Sequence, residues 1–317
     1  MSNPKPLRTS TASQSNVGQV RAVNQDVCGE FSDNRGRRLL VVADGMGGHA
    51  GGETASRLAL ETIGEIFGAG FDDPIEMLRR ALKSANAKIH QAGNADPELN
   101  NMGTTAVALL LGVGETISVA HVGDSRAYRM RAGQLEQITE DHSWVEEEVR
   151  QNRLAAEDAE SHPMKNVLLR SLGVAPEVDV SVMRQPLRPG DRFMLCSDGL
   201  WGEVRPTEIS EILGRSDART AVRDLIDLAN RNGGSDNVTV AVAIVQNREA
   251  ESTRETERPG IASNTESITL PIDASVGGDD LSTGESENAR TRWPSWVGPV
   301  MAFSAGLLVV LLVWASL

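Results

Sequence analysis

Between about Thr9 and Val245, short apolar runs alternate with segments in which apolar residues recur every three or four positions. The short runs are rich in β-branched and aliphatic residues and are bounded by turn residues, a pattern that predicts β-strands. We assign six strands in this way: Leu39 to Ala43, Thr105 to Leu111, Thr116 to Val122, Arg126 to Met130, Arg192 to Cys196 and Val238 to Val245.

The three-to-four spacing predicts helices in two pairs. The first pair covers about Glu53 to Phe67 and a segment that starts just after Pro74, and the second starts at Pro206 and continues with a longer helix over Ala218 to Ala229. The strands between the pairs follow one another as hairpin-like neighbours and do not alternate one-to-one with helices. This order predicts an α+β fold, a central β-sandwich of two antiparallel sheets flanked by helix pairs (αββα).

The chain changes character after residue 246. Residues 247–292 are dominated by Glu, Ser, Thr, Gly, Asp and Arg, a composition that predicts a disordered acidic linker. Residues 293–317 contain no charged side chain, and their length and apolar character predict a transmembrane tail anchor. A buried core helix is the alternative, but it would follow a polar linker with nothing to pack against. We therefore divide the chain into a tail (1–8), a folded domain (9–246), a linker and an anchor.

Residues next to the apolar segment predict its orientation. Trp293, Trp296 and Trp314 stand where the two membrane interfaces would lie, and Arg290 and Arg292 precede the first of them. Because positive residues favour the cytoplasmic side, we expect a single-pass membrane protein whose N-terminal domain is cytoplasmic. The polar N-terminus, without an apolar core segment, does not predict a cleaved signal peptide.

Charge and cysteine content narrow the function classes. With 31 Lys+Arg against 44 Asp+Glu, the net charge is −13, which argues against a nucleic-acid-binding module. Cys28 and Cys196 are too few for a disulfide framework and lack C-x-x-C spacing, so we expect two reduced core thiols and no structural zinc site. Cys196 lies in an apolar strand without an activating His, which argues against a nucleophilic role.

Four aspartates stand at the ends of predicted strands: Asp44, Asp124, Asp198 and Asp236. Each Asp-Gly or Gly-Asp step alone is first of all a turn signal. Four carboxylates gathered in one cleft would repel one another and require a cation. Ligation by oxygen without His or Cys clusters favours Mg²⁺ or Mn²⁺ over zinc.

Three further polar residues extend this prediction. Arg21, with Asp26 five residues later, could clamp a phosphoryl group, because a guanidinium donates two parallel hydrogen bonds. His49 could donate a proton to a leaving oxygen near neutral pH. His121 lies inside an apolar run, where a histidine with satisfied hydrogen bonds in the core is the expected arrangement.

At this point the sequence resembles the metal-dependent Ser/Thr protein phosphatases of the protein phosphatase 2C type, in their bacterial form. Eight segments carry the resemblance, in the family's order and across about Thr9 to Val245. They are RAVNQD (21–26), VVADGMGGHAGGETAS (41–56), MGTT (102–105), VGDSRAY (122–128), TEDHS (139–143), LLRSLG (168–173), CSDGLW (196–201) and GGSDNVTV (233–240).

The resemblance implies a role for each acidic residue. Asp44 would bridge two metal ions, the Gly45 carbonyl would bind one of them, and Asp198 and Asp236 would hold the other. Asp26 would support the second ion through water. Every one of these positions keeps its ligand residue, which implies an active enzyme.

The remaining implied roles concern a third ion and the substrate. Asp124, with Asp198, would hold a weaker third ion. Arg21 and His49 would be the catalytic residues, as phosphate-binding arginine and candidate general acid. The segment from about Ser143 to Lys165 would be the variable flap beside the site.

The function that follows is metal-dependent hydrolysis of phosphoserine and phosphothreonine in proteins. Water activated by two Mn²⁺ or Mg²⁺ ions would attack phosphorus without a covalent phosphoenzyme. The partners would be phosphorylated proteins and a membrane-associated Ser/Thr kinase, and the catalytic domain would be monomeric. One alternative is a membrane-tethered pseudophosphatase that binds phosphoproteins without turnover. The other is a phosphodiesterase for a small signalling nucleotide, although no basic or aromatic cluster for a base is evident.

Overall fold

The computed structural model describes residues 8–159 and 161–246, without the side chains of His49 and Val113. The predicted linker (247–292) and anchor (293–317) therefore lie outside the described residues, as do residues 1–7. Within the described ranges, no helix combines the length and the apolar character needed to cross a bilayer.

Ten of the strands form two five-stranded antiparallel sheets. The first sheet has the order β1 (Thr9–Asn16), β12 (Val238–Val245), β11 (Arg192–Cys196), β8 (Arg126–Arg131) and β9 (Gln134–Gln137). The second has the order β10 (Ser181–Pro186), β7 (Thr116–Val122), β6 (Ala106–Val113), β3 (Arg38–Ala43) and β2 (Val27–Ser32). Two short strands, β4 (Gly45–Met46) and β5 (Gly103–Thr104), pair separately.

Seven α-helices and a short 3₁₀ turn complete the described part of the chain. Two long helices cover the second sheet, two shorter ones cover the first, and three short helices lie in the connections. Their bounds are α1 (Gly48–Gly68), α2 (Pro74–Ala95), α3 (Trp144–Arg150), α4 (Ala156–Ala159), α5 (Asp198–Trp201), α6 (Pro206–Arg215) and α7 (Ala218–Asn232). The 3₁₀ turn is Pro97–Leu99.

The core consists of three apolar layers. Strand side chains point alternately to the two faces of a sheet, so Leu39 and Val41 of β3 pack under α1 and α2, whereas Leu40 and Val42 face the opposite sheet. A third layer joins the outer face of the first sheet to α6 and α7. Because both faces of the inner strands are covered, β3 reads as a continuous apolar run.

The αββα sandwich and both helix pairs are confirmed. One boundary is wrong: α1 begins at Gly48, five residues before the predicted Glu53. A glycine in a helix interior costs about 1 kcal/mol relative to an alanine. The glycine-rich first turn of α1 therefore gave no helix signal in the sequence. Packing overrides that preference here, because Gly51 and Gly52 are buried. Gly47, at φ 123°, forms the cap, and this left-handed backbone favours a residue without Cβ.

Candidate metal centre and active-site cleft

A cleft of about 680 Å³ opens at one end of the sandwich. The strand termini at this end come from both sheets: β3 and β11 finish there, β12 and β2 begin there, and β7 turns into β8. The cleft is therefore lined by six of the predicted site residues: Arg21, Asp44, Gly45, Asp124, Asp198 and Asp236.

The backbone of Asp44 is hydrogen-bonded by Thr104, the last residue of β5, and by Thr105, which follows it. The Asp44 N–H donates to Thr105 Oγ1 at 3.0 Å, and its carbonyl accepts from the Thr105 N–H at 2.8 Å and from Thr104 Oγ1 at 2.7 Å. Thr105 Oγ1 also lies 2.7 Å from Ser125 Oγ, beside Asp124. The two threonines satisfy the backbone of Asp44, so its carboxylate is the group left to act in the cleft.

Gly45 leaves no room for a side chain. A Cβ at this position would lie 2.1 Å from the Gly52 carbonyl oxygen and 2.6 Å from that of Gln25. Such distances are below any tolerable contact, so any other residue would push the strand end away from α1 and move Asp44 with it. The close packing explains why a glycine follows this aspartate.

Asp198 and Asp236 approach the cleft from the first sheet. Asp198 begins the one-turn helix α5, and its Oδ1 is buried without a hydrogen-bond partner. Asp236 lies between α7 and β12, and its Oδ1 accepts from the Asn237 N–H at 2.8 Å. Its other oxygen, Oδ2, accepts from Arg21 Nη2 at 2.8 Å.

Arg21 stands at the rim of the cleft, with 54% of its side chain exposed. Asn237 holds the loop that carries it: Nδ2 of Asn237 donates to the Val17 and Val23 carbonyls at 2.9 and 3.0 Å, and Oδ1 accepts from the Gln25 N–H at 2.8 Å. This loop is therefore fixed relative to Asp236, and the guanidinium remains open to solvent.

Asp124 lies in the turn between β7 and β8 and is 7% exposed. Its carbonyl oxygen accepts from Trp201 Nε1 at 3.2 Å. The indole in turn lies under Arg126, whose guanidinium carbon is 3.7 Å from the ring centroid, and Arg126 pairs with Asp141 at 2.8 Å. A chain of contacts thus connects Asp124 to the residues just before the predicted flap.

Asp26 does not line the cleft. It is 4% exposed, directly before β2, and its Oδ2 is buried without a hydrogen-bond partner. Burial, with a smaller contribution from the charge of Asp198, raises the pKa of Asp26 to about 7. Asp26 therefore lies behind the cleft but shares its electrostatic field.

The other carboxylates are also crowded. Burial raises the pKa of Asp44 well above its ordinary value, with additional contributions from Asp26, Asp198 and Asp124. Burial, and then the charge of Asp198, raises the pKa of Asp124 to about 7. The pKa of Asp198 is raised by burial and by Asp236. Without a cation, this site can keep only part of its negative charge at neutral pH.

The donor set fits a hard divalent cation. No group of three or more His, Cys, Asp or Glu side chains in the described ranges is already arranged to hold a metal ion. The unpartnered oxygens of Asp26 and Asp198 nevertheless have no protein donor to satisfy them, and the mutual repulsion of the carboxylates would be relieved by positive charge. All candidate ligands are oxygens, as Mg²⁺ and Mn²⁺ prefer.

The histidines and cysteines singled out in the sequence have different surroundings. His49 lies in the first turn of α1, and its side chain is outside the described part of the structure. His121 is buried, as predicted, but is only half satisfied: Nε2 lies 2.7 Å from the Glu140 carbonyl oxygen, whereas Nδ1 has no partner. Cys196 is buried in β11, where burial raises the pKa of its thiol, and Cys28 is half-buried and also free.

The predicted flap, about residues 143–165, contains α3 and α4. Ser143 caps α3, because its Oγ accepts from the Glu146 N–H at 3.3 Å. Ser143 also forms an isolated antiparallel bridge to Leu168, which lines the cleft. The flap is therefore joined at its base to one wall of the cleft.

Comparison with known proteins identifies close relatives. The protein phosphatase 2C family model matches residues 17–240. The chain is 35% identical over 312 residues to "Serine/threonine protein phosphatase PstP" of Mycobacterium tuberculosis; the match covers 95% of the chain but only 59% of that relative. It is 38% identical over 229 residues to "Serine/threonine phosphatase stp" of Listeria monocytogenes, covering 70% of the chain and 90% of that protein.

Solved structures agree with this assignment. A serine/threonine phosphatase of S. agalactiae superposes with a TM-score of 0.71 at 35% identity, covering 75% of this chain and all of that one. The catalytic domain of PstP in complex with two manganese ions superposes with a TM-score of 0.68 at 37% identity, covering 75% of this chain and 99% of that one.

Proposed function

Because the chain belongs to the protein phosphatase 2C family, we propose that it hydrolyses phosphoserine and phosphothreonine in proteins with the help of Mn²⁺ or Mg²⁺. One observation carries the proposal: a cleft lined by four carboxylates, with a fifth behind it, has an exposed arginine at its rim. Carboxylates suit the cations, and the guanidinium suits the phosphoryl group. The metal-bound relative, PstP with two manganese ions, supports the choice of cofactor.

The five acidic residues would hold the cations. Asp44 would contact both core ions, Asp198 and Asp236 one of them, and Asp26 would support this set from behind the cleft. Asp124 would take a third, weaker ion with Asp198. When bound, the ions would activate a water molecule for attack on phosphorus and neutralise charge on the phosphoryl oxygens.

The protein's own groups orient the substrate. Arg21 would donate hydrogen bonds to the phosphoryl oxygens of the bound substrate, and the loop held by Asn237 keeps this guanidinium beside the carboxylates. His49, at the start of α1, remains the candidate donor of a proton to the departing seryl or threonyl oxygen.

The proposal also includes a location at the membrane. The apolar segment 293–317, which lies outside the described residues, would anchor the chain and hold the catalytic domain at the cytoplasmic face. Substrates would then be phosphoproteins near the membrane, including a Ser/Thr kinase or its targets. Full-length protein should resist extraction by alkali, and a chain that ends at residue 246 should be soluble and keep its activity on phosphopeptides.

The test of the chemistry is a phosphate-release assay on a phosphothreonine peptide. EDTA should abolish release, and added Mn²⁺ should restore it. The variant Asp198→Asn is the matched control, because it should stay inactive after Mn²⁺ is added back. Peptide binding without release would support the pseudophosphatase, and turnover of a cyclic dinucleotide in place of the peptide would support the phosphodiesterase.

A further inference from the structure

Large apolar side chains that face solvent are concentrated beside the cleft. Among the described residues, six such side chains are between 38% and 70% exposed, and all belong to residues 20–23 or 164–174. Both segments line the cleft, the first through Val23 and the second through Leu168 and Val174. The six are Val20, Val23, Met164, Val167, Leu169 and Val174.

The backbone of both segments is held in place. In the first, the N–H groups of Gln19 and Val20 donate to the Gly234 carbonyl at 2.8 and 3.3 Å. In the second, the Leu169 N–H donates to the His142 carbonyl at 2.8 Å, and Leu172 forms a bridge to Thr104. The apolar side chains are thus presented by an ordered surface, and a ligand that binds there would not have to order these loops first.

The charge of these segments differs from that of the rest of the molecule. Neither segment contains Asp or Glu, whereas Arg21, Lys165 and Arg170 lie within them, in a chain of net charge −13. Arg21 and Arg170 form ion pairs with Asp236 and Asp179. The surface at the mouth of the cleft is therefore apolar with partly compensated basic residues, directly beside a floor of carboxylates. A phosphorylated segment with apolar neighbours has the matching character: an anionic group for the cleft and apolar side chains for its rim.

Building on the proposed function, we infer that this apolar rim, defined as Val20, Val23, Met164, Val167, Leu169 and Val174, is a docking surface for the residues that flank the phosphorylated serine or threonine. It would make the enzyme select phosphosites with aliphatic neighbours. Removing a Val or Leu side chain from water on docking is favourable by an amount equivalent to about tenfold in affinity, so the selectivity should be measurable.

The experiment uses the full-length chain with Mn²⁺ and two phosphothreonine peptides of equal length and charge. One peptide carries Leu and Val next to the phosphothreonine, and the other carries Ser at those positions. We expect kcat/KM to be about 5- to 10-fold higher for the apolar peptide. The double variant Val20→Ser/Leu169→Ser should remove this preference but leave turnover of the Ser peptide and of p-nitrophenyl phosphate near wild type.

Two further variants act as controls. Val20→Ile/Leu169→Met keeps the rim apolar and should retain the preference. Lys83→Ser changes an exposed side chain on α2 that is not one of the six rim residues, and it should have no effect on either peptide. Equal kcat/KM for both peptides, with normal turnover of p-nitrophenyl phosphate, would overturn the docking surface alone. No turnover of any phosphoester would instead overturn the proposed function.

The rim could also be covered by a second copy of the chain. Sedimentation equilibrium separates this case from peptide docking. Wild-type protein that associates, while Val20→Ser/Leu169→Ser stays monomeric and both act equally on the two peptides, would assign the rim to self-association and overturn the inference. A monomer that prefers the apolar peptide supports it.

Discussion

Strands β3 and β11 lie in different sheets, yet each leads into an aspartate, a glycine and a helix. The junctions between each strand and its aspartate are positioned by different contacts. Asp44 is fixed through its backbone by Thr104 and Thr105, whereas Asp198 is the first residue of a one-turn helix and one of its carboxylate oxygens has no partner. In both cases the side-chain charge is left for the cleft.

Asp44 and Asp198 also differ in the charges that surround them. Three neighbouring carboxylates, those of Asp26, Asp198 and Asp124, raise the pKa of Asp44 after burial. The pKa of Asp198 is raised by burial and by Asp236, and the charge of Asp198 in turn raises the pKa of Asp26, Asp44 and Asp124. Arg21 acts in the opposite direction at Asp198 and compensates part of this repulsion. This compensation is a physical reason to propose Asp44, and not Asp198, as the residue that contacts both core ions.

The largest expected effect comes from Asp44→Asn. It removes the carboxylate that is proposed to contact both core ions and should lower kcat by about 10³-fold or more, because the stabilisation supplied by bound cations is worth several kcal/mol. The same change should raise the free energy of unfolding in EDTA by about 1 to 2 kcal/mol, because it removes a repelled charge. Peptide turnover and urea denaturation in EDTA measure the two effects.

Asp198→Asn is the matched comparison for that variant. It should also inactivate the enzyme, but with a smaller gain of stability in EDTA, because Arg21 already compensates part of the charge of Asp198. A larger gain for Asp198→Asn than for Asp44→Asn would contradict the view that Arg21 relieves the repulsion at Asp198. Calorimetric titration with Mn²⁺ should show loss of both core ions only for Asp44→Asn.

Arg21 compensates part of the charge of Asp198, and its substitution should give the next largest effect on activity. Arg21→Ala removes a charge-assisted contact to phosphate. The resulting loss in kcat/KM should correspond to about 1.5 to 3 kcal/mol of binding free energy, mainly through a higher KM. Arg21→Lys should recover part of the loss, since a lysine keeps the charge but not the planar pair of donors. An unchanged KM in Arg21→Ala would remove Arg21 from substrate binding.

The pH dependence of stability tests the crowding directly. Asp26 and Asp124 have pKa values of about 7 in the folded chain, against an ordinary value of 3.8. The folded protein therefore keeps protons that the unfolded chain has released, so stability should be highest below about pH 4 and fall as the pH rises towards 7. In EDTA, Tm should drop by about 4 °C or more between pH 5 and 7.5.

Two controls isolate this effect. Mn²⁺ should flatten the dependence, because a bound cation favours the ionised carboxylates. The double variant Asp26→Asn/Asp124→Asn should also flatten it in EDTA, although the rest of the chain keeps its acidic charge. A Tm that rises with pH in EDTA would show that burial does not hold these carboxyl groups protonated.

The inner strands were predictable from the sequence, whereas the edge strands were not. The six predicted strands correspond to β3, β6, β7, β8, β11 and β12, which are the inner strands of the two sheets. Inner strands are covered on both faces, and five of the six read as apolar runs; the sixth, β8, carries three arginines around its buried residues. The missed strands of the two large sheets, β1, β2, β9 and β10, are the four sheet edges, where polar residues are tolerated and the periodic signal is weak.

The carboxylates of the cleft were predictable because an Asp at a strand end, next to a Gly at three of the four positions, is a local pattern. The residues that position them were not. Thr105 and Asn237 act through contacts between segments far apart in sequence, such as Asn237 to Val23, and no spacing rule reveals such a contact. Their presence in the MGTT and GGSDNVTV segments was the available signal, without a role attached to it.

Thr105→Val tests the support of the Asp44 junction. Valine keeps the shape but removes the hydroxyl that accepts from the Asp44 N–H and contacts Ser125 Oγ. We expect a loss of about 1 to 2 kcal/mol in stability, the cost of unsatisfied buried groups, and weaker Mn²⁺ binding. Thr105→Ser, which keeps the hydroxyl, should bind Mn²⁺ like wild type. Equal Mn²⁺ affinity in Thr105→Val would mean that the backbone of Asp44 needs no support from this hydroxyl.

The smallest effect should come from Trp201, at the end of α5 on the Asp198 side. Trp201→Phe removes the Nε1–H donor to the Asp124 carbonyl but keeps an aromatic face under Arg126. One hydrogen bond of this kind is worth about 0.5 to 1.5 kcal/mol. Asp124 is proposed to bind only the weaker third ion. The variant should therefore lower the affinity for that ion a few-fold and leave the affinity for the core pair unchanged. Calorimetric titration with Mn²⁺ resolves the two classes of site, and weaker binding of the core pair would show that α5 supports Asp198 as much as Asp124.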